Sequence, residues 1–329
     1  MKLLVLTIGD AQTGSTKYRI LQYERFLQEQ GLDIQFVHRN EIDSSTIDIA
    51  AQADVVLNQK CLFSVRSARR LIRSSRRTVF DFDDAIYTRP GRPHSWFTRI
   101  KLLRRLHLWL EASDVVTCAN EYLAEYARRY SKNVRVIPMA LDLEEWKPAD
   151  RRESDEVRIG WAGSPINATY LESLEPVLRS IQVRNPKVHI MVYSGRRPQL
   201  SCRFEFVPFE PGTERDFVSR LDIGLLPLRD EEYLRGKSPI KAIQYLSCGV
   251  PVVGTVVGAT AEILNPDNSI AVRSHEEWLS ALQCLIGDPE RRAKMGRAGR
   301  ELVARRHDAL RCRAELLNVI TGRAGSFDL

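Results

Sequence analysis

No stretch of this sequence approaches the roughly 20 consecutive apolar residues that a membrane-spanning helix requires. Its six cysteines, Cys61, Cys118, Cys202, Cys248, Cys284 and Cys312, form no CxxC pair, and neither they nor the six histidines fall at metal-ligand spacing. A zinc module and a disulfide scaffold are thereby excluded, and reduced, mostly buried thiols are expected. The G-x-G-x-x-G dinucleotide fingerprint is missing. The formal charge of +7 comes without a helix-turn-helix, an RNA-binding strand motif or a basic-aromatic groove, so no nucleic-acid partner is expected. The opening residues, MKLLVLTIGD, lack a signal-length apolar core and pass straight into a glycine turn. They read as a first strand, and a cytoplasmic protein is expected.

What is present is the composition of a globular enzyme-sized chain. At 43% hydrophobic and 28% charged residues it is no disordered polymer, and 329 residues are too many for one ordinary core and about right for two. Apolar, β-branched runs alternate with helical stripes. Leu3–Ile8, Ile34–His38, Val55–Asn58, Thr78–Phe82 and Val115–Cys118 read as strands, with helices over Tyr18–Glu29, Val65–Ser74 and Trp96–Glu111. The pattern repeats from Val157–Trp161 through Val188–Tyr193 and Phe204–Val207 and ends in helices Glu276–Ile286, Pro289–Arg306 and Ala309–Ile320. Strand–helix alternation predicts an α/β protein with two Rossmann-like domains and parallel sheets. Their carboxyl ends should face a central cleft, since open α/β sheets bind ligands there.

The most telling segment is Leu221–Gly258, LDIGLLPLRDEEYLRGKSPIKAIQYLSCGVPVVGTVVG, which packs two buried-strand signals around a loop and the helix Ile240–Ser247. LDIGLLPL, GKSPIKAIQYLSCGVPVV and the following VG and EIL resemble the donor-binding half of a family 4 type glycosyltransferase of GT-B fold. The resemblance runs from about Val157 to Arg306 and more faintly through Val115–Tyr126 and Val134–Asp142. The second of these, VRVIPMALDLEEW, is similar to the family's interdomain phrase, with Met139-Ala140 where the family has Asn-Gly. The resemblance implies an acceptor domain over residues 1–145, a nucleotide-sugar donor domain over 146–306, and a C-terminal helix, 307–329, returning toward the first. It also implies a transferase that moves a sugar from a UDP- or GDP-linked donor to a glycan, lipid-linked or small-molecule acceptor with retention of configuration, using no bound metal or other cofactor.

Candidate residues follow the strand ends. After the first strand, Gly9–Arg19 is rich in small residues, so Gly14, Ser15 and Arg19 are candidates to meet phosphate or acceptor. A plain turn with Thr16 as helix cap is the alternative. Asp81, Asp83 and Asp84 at the end of Thr78–Phe82 form a carboxylate cluster that repels itself unless a cation, proton or hydroxyl compensates it. Several family members carry a D-x-D-D-A phrase here. Asp83 or Asp84 is expected to contact sugar or acceptor hydroxyls, the alternatives being a divalent metal or a cap with Asp81 in a turn. Gly163 and Ser164 can offer donors to a diphosphate, or simply turn the chain.

The resembling family places an Arg and a Lys soon after that strand, and two glutamates before the C-G-x-P-V-V phrase. Here no Lys or Arg lies between Ile159 and Leu178, and the glutamate positions fall on Gly236 and Gln244. The diphosphate charge must then be met by Lys237, Lys241 or Arg235, with Lys237 assigned the catalytic role. Gln244 is left for the ribose, and the backbone N–H groups around Gly236, Lys237 and Ser238 for the phosphates. Two alternatives stay open: a non-catalytic relative acting as a scaffold in glycan assembly, and a nucleotide-sugar epimerase or hydrolase of the same fold.

From Arg66 to Arg105 there are twelve Lys or Arg against three Asp. Trp96–Leu110 combines aromatics, leucines and basic residues at helical spacing. Such a helix either lies on an anionic membrane, placing the protein at the inner face, or is a core helix with a solvated basic face. His94, in a loop rich in Pro and Arg, is a further substrate-binding candidate beside the reading of a merely exposed histidine. The other five histidines show no recognisable partner.

Overall fold

The computed structural model describes residues 1–91, 94–149 and 155–323. Contacts divide the chain into two compact units. The first comprises Met1–Ala140, Glu231–Ser238 and the terminal segment from Ala309, and the second comprises Leu141–Asp230 and Pro239–Asp308. Relative to the expected division at 145/146, the boundary falls at Ala140/Leu141, and Glu231–Ser238 leaves the donor half for the first unit. Residues 324–329 of the expected terminal segment lie outside the described residues.

The first unit holds strands β1 (Lys2–Thr7), β2 (Asp33–His38), β3 (Val55–Gln59), β4 (Thr78–Phe82), β5 (Val115–Cys118) and β6 (Val134–Val136), all parallel and ordered β2-β1-β3-β4-β5-β6. Because side chains alternate along a strand, each strand feeds both faces. Leu4, Leu6, Val56, Phe80 and Phe82 join one core with Leu106, Trp109 and Leu123, while Leu3, Val5, Val55, Leu57 and Val79 join the other. The second core is closed by Cys312, Leu316 and Ile320 of the helix Ala309–Thr321, which is why that helix belongs to this unit.

The helix expected over Tyr18–Glu29 is two pieces, Gly14–Arg19 and Glu24–Glu29, joined by a 3₁₀ turn at Leu21–Tyr23. Tyr18, Arg19 and Ile20 are all buried. One continuous helix with a single inward stripe could not bury three successive side chains. Helix starts elsewhere are set by side-chain caps, as where Ser95 accepts the Thr98 N–H at the head of Trp96–Ala112 and Asn120 accepts the Leu123 N–H at the head of Glu121–Ala127.

The second unit holds β7 (Val157–Ala162), β8 (Val188–Ser194), β9 (Glu205–Pro208), β10 (Ile223–Leu226), β11 (Val252–Gly254) and β12 (Ser269–Ala271), parallel and ordered β12-β11-β10-β7-β8-β9. Ile159, Ile190, Val192, Ile223 and Leu225 bury one face of the sheet with Leu178, Ile181 and Leu282. Against the other face lies the helix Ile240–Ser247, held close by Gly224, where an added Cβ would come within 2.6 Å of the Tyr245 ring. In each unit the strand order reverses once, between β1 and β3 and between β7 and β10, and at such reversals the loops diverge and leave a crevice at the carboxyl ends.

Among the described residues no helix is long and apolar enough to cross a membrane, and no disulfide joins any of the six cysteines. Gly224→Ala should lower the unfolding free energy by about 1–3 kcal/mol, the usual cost of overpacking, read as an earlier urea midpoint. A wild-type midpoint would show that the helix can move off the sheet at no cost.

Candidate functional site

At the first unit's reversal point the β1 loop, the end of β3 and the end of β4 converge on Lys60. It immediately follows β3, it is 8% exposed, and with φ of 43° it is the one non-glycine among the described residues in the left-handed region. Its N–H donates to the Asp81 carbonyl at 2.7 Å. Its ammonium lies 2.6 Å from an oxygen of Asp83, 2.6 Å from one of Asp84 and 2.7 Å from the Ser15 hydroxyl, which itself donates to Asp83 at 2.6 Å. Burial works against the ammonium, but Asp83 and Asp84 more than offset it, so Lys60 stays charged well above the ordinary lysine range. Burial likewise pushes the Asp83 carboxyl up, and Lys60 and Ser15 bring it below the usual carboxylate value. The next residue, Cys61, is no nucleophile: burial pushes its thiol up to about 12.

The third carboxylate is compensated separately. Asp81 is buried within β4 rather than placed in a turn, and it is gripped by the Arg19 guanidinium and by the Thr117 hydroxyl at 2.6 Å. Arg19 also donates to the Ile137 carbonyl. Arg19 is therefore committed to the interior instead of facing a ligand. Thr16 is no cap either: it lies inside Gly14–Arg19, with its hydroxyl 3.1 Å from both the Gly9 carbonyl and the Gln59 side-chain amide. Gly14 opens that helix in free space, where a Cβ would meet nothing. Of the three aspartates, Asp83 is sealed, while the Asp84 side chain keeps 18% of its surface. Among the described residues no group of three His, Cys, Asp or Glu is arranged to hold a metal. Lys60 stands between the two carboxylates instead.

The segment Glu231–Ser238 is fastened to the same place. The Ser238 hydroxyl and N–H donate to the Asp83 carbonyl at 3.0 and 3.3 Å, and the Asn120 amide donates to the Gly236 carbonyl at 3.2 Å. A Cβ on Gly236 would press within 2.9 Å of Ala85. The Lys237 N–H goes to the Leu234 carbonyl. The Lys237 and Ser238 N–H groups expected to grip phosphate are therefore engaged within the unit, and the Lys237 ammonium lies 5.8 Å from the centre of the Tyr233 ring. His94 lies half-exposed beside the capping Ser95, outside this network.

In the second unit β7 and β10 pair only through Ile159–Ile223 and Gly160–Gly224. Beyond that the Tyr245 hydroxyl reaches past Gly224 and accepts the Ala162 N–H at 2.9 Å, taking the place of a β10 carbonyl while the strands part. The crevice so opened is edged by Gly163 and Ser164. Gly163 is needed for a reason internal to the fold, since a Cβ there would run into the Trp161 ring, and Ser164 is exposed, accepting from the Asn167 amide at 3.1 Å. Lys241 and Gln244 converge on Glu214, a residue the sequence did not single out. Lys241 is ion-paired with it, and the Gln244 amide donates to its other oxygen at 2.7 Å. Gln244 is itself buried.

Sequence reasoning missed Lys60 and Glu214, for neither sits in a motif. The usable signal for Lys60 was its place at a strand end facing a carboxylate cluster that required a cation. His38 and His107 do have partners, the Thr7 hydroxyl at 2.6 Å and the Tyr126 hydroxyl at 2.8 Å.

Residues 177–318 match a family described as glycosyl transferase-like. No match was found among curated proteins. Among solved structures, the chain is similar to the sucrose-phosphate synthase of Thermosynechococcus elongatus, with a TM-score of 0.74 and 16% identity over 98% of each chain. It is similar also to a glycosyltransferase from Rickettsia africae, with a TM-score of 0.72 and 12% identity over 98% of this chain and 99% of that one. A third is Anabaena HepE solved in complex with UDP-glucose, with a TM-score of 0.70 and 13% identity over 98% of this chain and all (100%) of that one. The chain thus has the two-domain α/β fold of these GT-B structures, as its resemblance implied, and its residues 177–318 match the glycosyl transferase-like family.

Replacing Lys60 with Met leaves the buried Asp83 carboxylate without its cation and beside the partly exposed Asp84, at a cost of about 3–5 kcal/mol, and adding Asp83→Asn should recover most of it. The wild type gains stability from the depressed Asp83. That gain is fully present above the unfolded carboxylate value of 3.8 and is lost as pH falls through the folded one. In Lys60→Met the sign reverses and mild acid should stabilise, so melting curves between pH 7 and 3 separate the two.

Proposed function

We propose that this protein is a glycosyltransferase that moves a sugar from a UDP- or GDP-linked donor to a hydroxyl of a glycan, lipid-linked or small-molecule acceptor. The observation that carries the reading is the crevice at the carboxyl ends of β7 and β10, edged by Gly163 and Ser164 and held open by Tyr245. It lies in a unit most of whose length falls within the match to a glycosyl transferase-like family. That Anabaena HepE is solved with UDP and with UDP-glucose supports a uridine diphosphate donor. Retention of configuration enters by resemblance.

In this reading the bond from the anomeric carbon to the diphosphate oxygen breaks, the acceptor oxygen bonds to that carbon, and the acceptor's proton passes to the departing diphosphate. Little covalent chemistry falls to the protein. Its part is to stabilise the charge that grows on the departing diphosphate and to exclude water. Gly163 and Ser164 serve the phosphates and the Lys237 ammonium the leaving charge, while Gln244, backed by Glu214, serves the ribose. Asp84 takes sugar or acceptor hydroxyls, because its carboxylate retains exposed surface beside Lys60 while Asp83 is enclosed. With Arg19 on Asp81 and Lys60 between Asp83 and Asp84, two cations balance two of the three carboxylate charges and hold the cluster together.

The helix Trp96–Ala112 gives the acceptor side a surface. Trp96 and Phe97 at its head are 68% and 77% exposed. Lys101 and Arg104 are exposed along the same helix, and Arg66, Arg69, Arg70 and Arg73 along the neighbouring helix Val65–Ser74. Aromatics flanked by exposed cations suit the headgroup layer of an anionic membrane, and we assign this surface to reversible attachment at the cytoplasmic face.

Calorimetric titration with UDP and GDP tests the donor site. One of them should bind, and Lys237→Ala should weaken it by tenfold or more, a loss of about 1.4 kcal/mol or more. Failure to bind any nucleoside diphosphate would leave a non-catalytic relative as the better account. Cosedimentation with phosphatidylglycerol vesicles should exceed that with phosphatidylcholine, fall with salt, and drop sharply in Trp96→Ser/Phe97→Ser. Equal sedimentation with both lipids would remove the membrane role.

A further inference from the structure

A nucleoside diphosphate brings at least two negative charges to the site it occupies, and in a water-poor crevice these need cations within reach. The loop that edges the crevice in the second unit carries none, from Ile159 to Leu178. Three other cations of this unit are already committed. Lys241 is ion-paired with Glu214. Arg300 donates to the carbonyls of Leu143, Trp146 and Ser247. The Arg197 guanidinium lies over Phe204 and Phe206, 4.4 and 5.7 Å from their ring centres.

Arg229 differs in place and in partners. It comes just after the carboxyl end of β10, where the Leu228 N–H folds back onto the Leu226 carbonyl at 3.1 Å and keeps the chain at the strand end. The side chain is exposed, and its guanidinium sits 5.5 Å from the centre of the Tyr170 ring. Tyr170 is buried in the helix Ala168–Glu172, which directly follows the Gly163–Asn167 loop. Arg229 therefore leaves one wall of the crevice, the end of β10, and rests on the helix that continues the other wall. No carboxylate pairs with it among the described residues. A ring contact occupies the face of a guanidinium and leaves its N–H edge for hydrogen bonds, while the rigid ring removes part of the rotamer freedom a free arginine would lose on binding.

We infer that Arg229, seated on Tyr170, is a diphosphate-binding residue of the second unit, presenting a two-pronged N–H edge to phosphate oxygens beside Gly163 and Ser164. This deepens the proposed function and rests on it.

The test compares UDP, GDP and the uncharged nucleosides uridine and guanosine by calorimetry in the wild type, Arg229→Ala, Arg229→Lys and Tyr170→Leu. A charge-assisted contact of this kind predicts that Arg229→Ala weakens the bound diphosphate by about tenfold or more. It should leave the nucleoside's affinity unchanged and flatten the salt dependence of diphosphate binding. Arg229→Lys should keep the charge and recover part of the affinity, and Tyr170→Leu should fall between. Because Arg229 is exposed, Arg229→Ala should melt within about 0.5 kcal/mol of the wild type, which separates lost binding from lost fold. If Arg229→Ala binds diphosphate as tightly as the wild type, or loses nucleoside and diphosphate equally, the assignment is wrong while the donor site stands. If the wild type binds no nucleoside diphosphate, the donor-site reading falls and the assignment with it.

Discussion

Three carboxylates at the end of β4 would repel one another in the interior of the first unit, and the way they are neutralised organises everything around them. Arg19 reaches in from the β1 helix for Asp81, and Lys60 leaves β3 to stand between Asp83 and Asp84. For the lysine to arrive there its backbone takes φ of 43°, which costs on the order of 1–3 kcal/mol. Stranding a buried charge costs about 3–5 kcal/mol, so the backbone yields and the ion pairs win. The same knot ties Ser15 of the β1 loop to Asp83, and Ser238 to the Asp83 carbonyl. Four segments distant in sequence are thereby registered on one ammonium and one aspartate.

The second unit meets the same topological problem with a neutral group. Where β7 and β10 part, Ala162 would lose its ladder partner, and a buried N–H without an acceptor is expensive. Tyr245 supplies the acceptor from the helix behind the sheet, which it can do only because Gly224 has no side chain in its path. A strand pair therefore opens without leaving a polar group unsatisfied. The opening is a property of three residues, Tyr245, Gly224 and Ala162, rather than of a flexible loop.

Much of the fold was legible because strand alternation and helix stripes are local properties. Leu3–Ile8, Val55–Asn58 and Ile240–Ser247 emerge close to where periodicity puts them, and the carboxylate cluster at Asp81–Asp84 announced a need for compensation. What supplied it was not legible, since Lys60 comes from another strand and its role depends on strand order, which no local pattern encodes. For the same reason Glu214 was invisible and the grouping of Glu231–Ser238 with the first unit was not foreseen. Its neighbours in sequence are β10 and the helix Ile240–Ser247, yet its buried contacts are with Asp83, Ala85 and Asn120. The break at Ile20 was hidden because Arg19 looks like a surface residue until its partner Asp81 is known.

The substitutions at Gly236 and Gln244 take on a different meaning in this light. A glutamate at 244 would set a second carboxylate against Glu214, whose two oxygens already take Lys241 and the Gln244 amide. Like charges at hydrogen-bonding distance in a half-buried site oppose one another strongly, so the presence of Glu214 and the amide at 244 belong together. Side-chain bulk at 236 is opposed by Ala85 and Leu123, so glycine there follows from how Glu231–Ser238 packs in the first unit. The helix Ile240–Ser247 thus keeps a carboxylate beside it, carried by the helix Glu214–Ser219 instead of by one of its own residues. A changed sequence at these two positions is accounted for by packing and charge before any loss of activity has to be invoked.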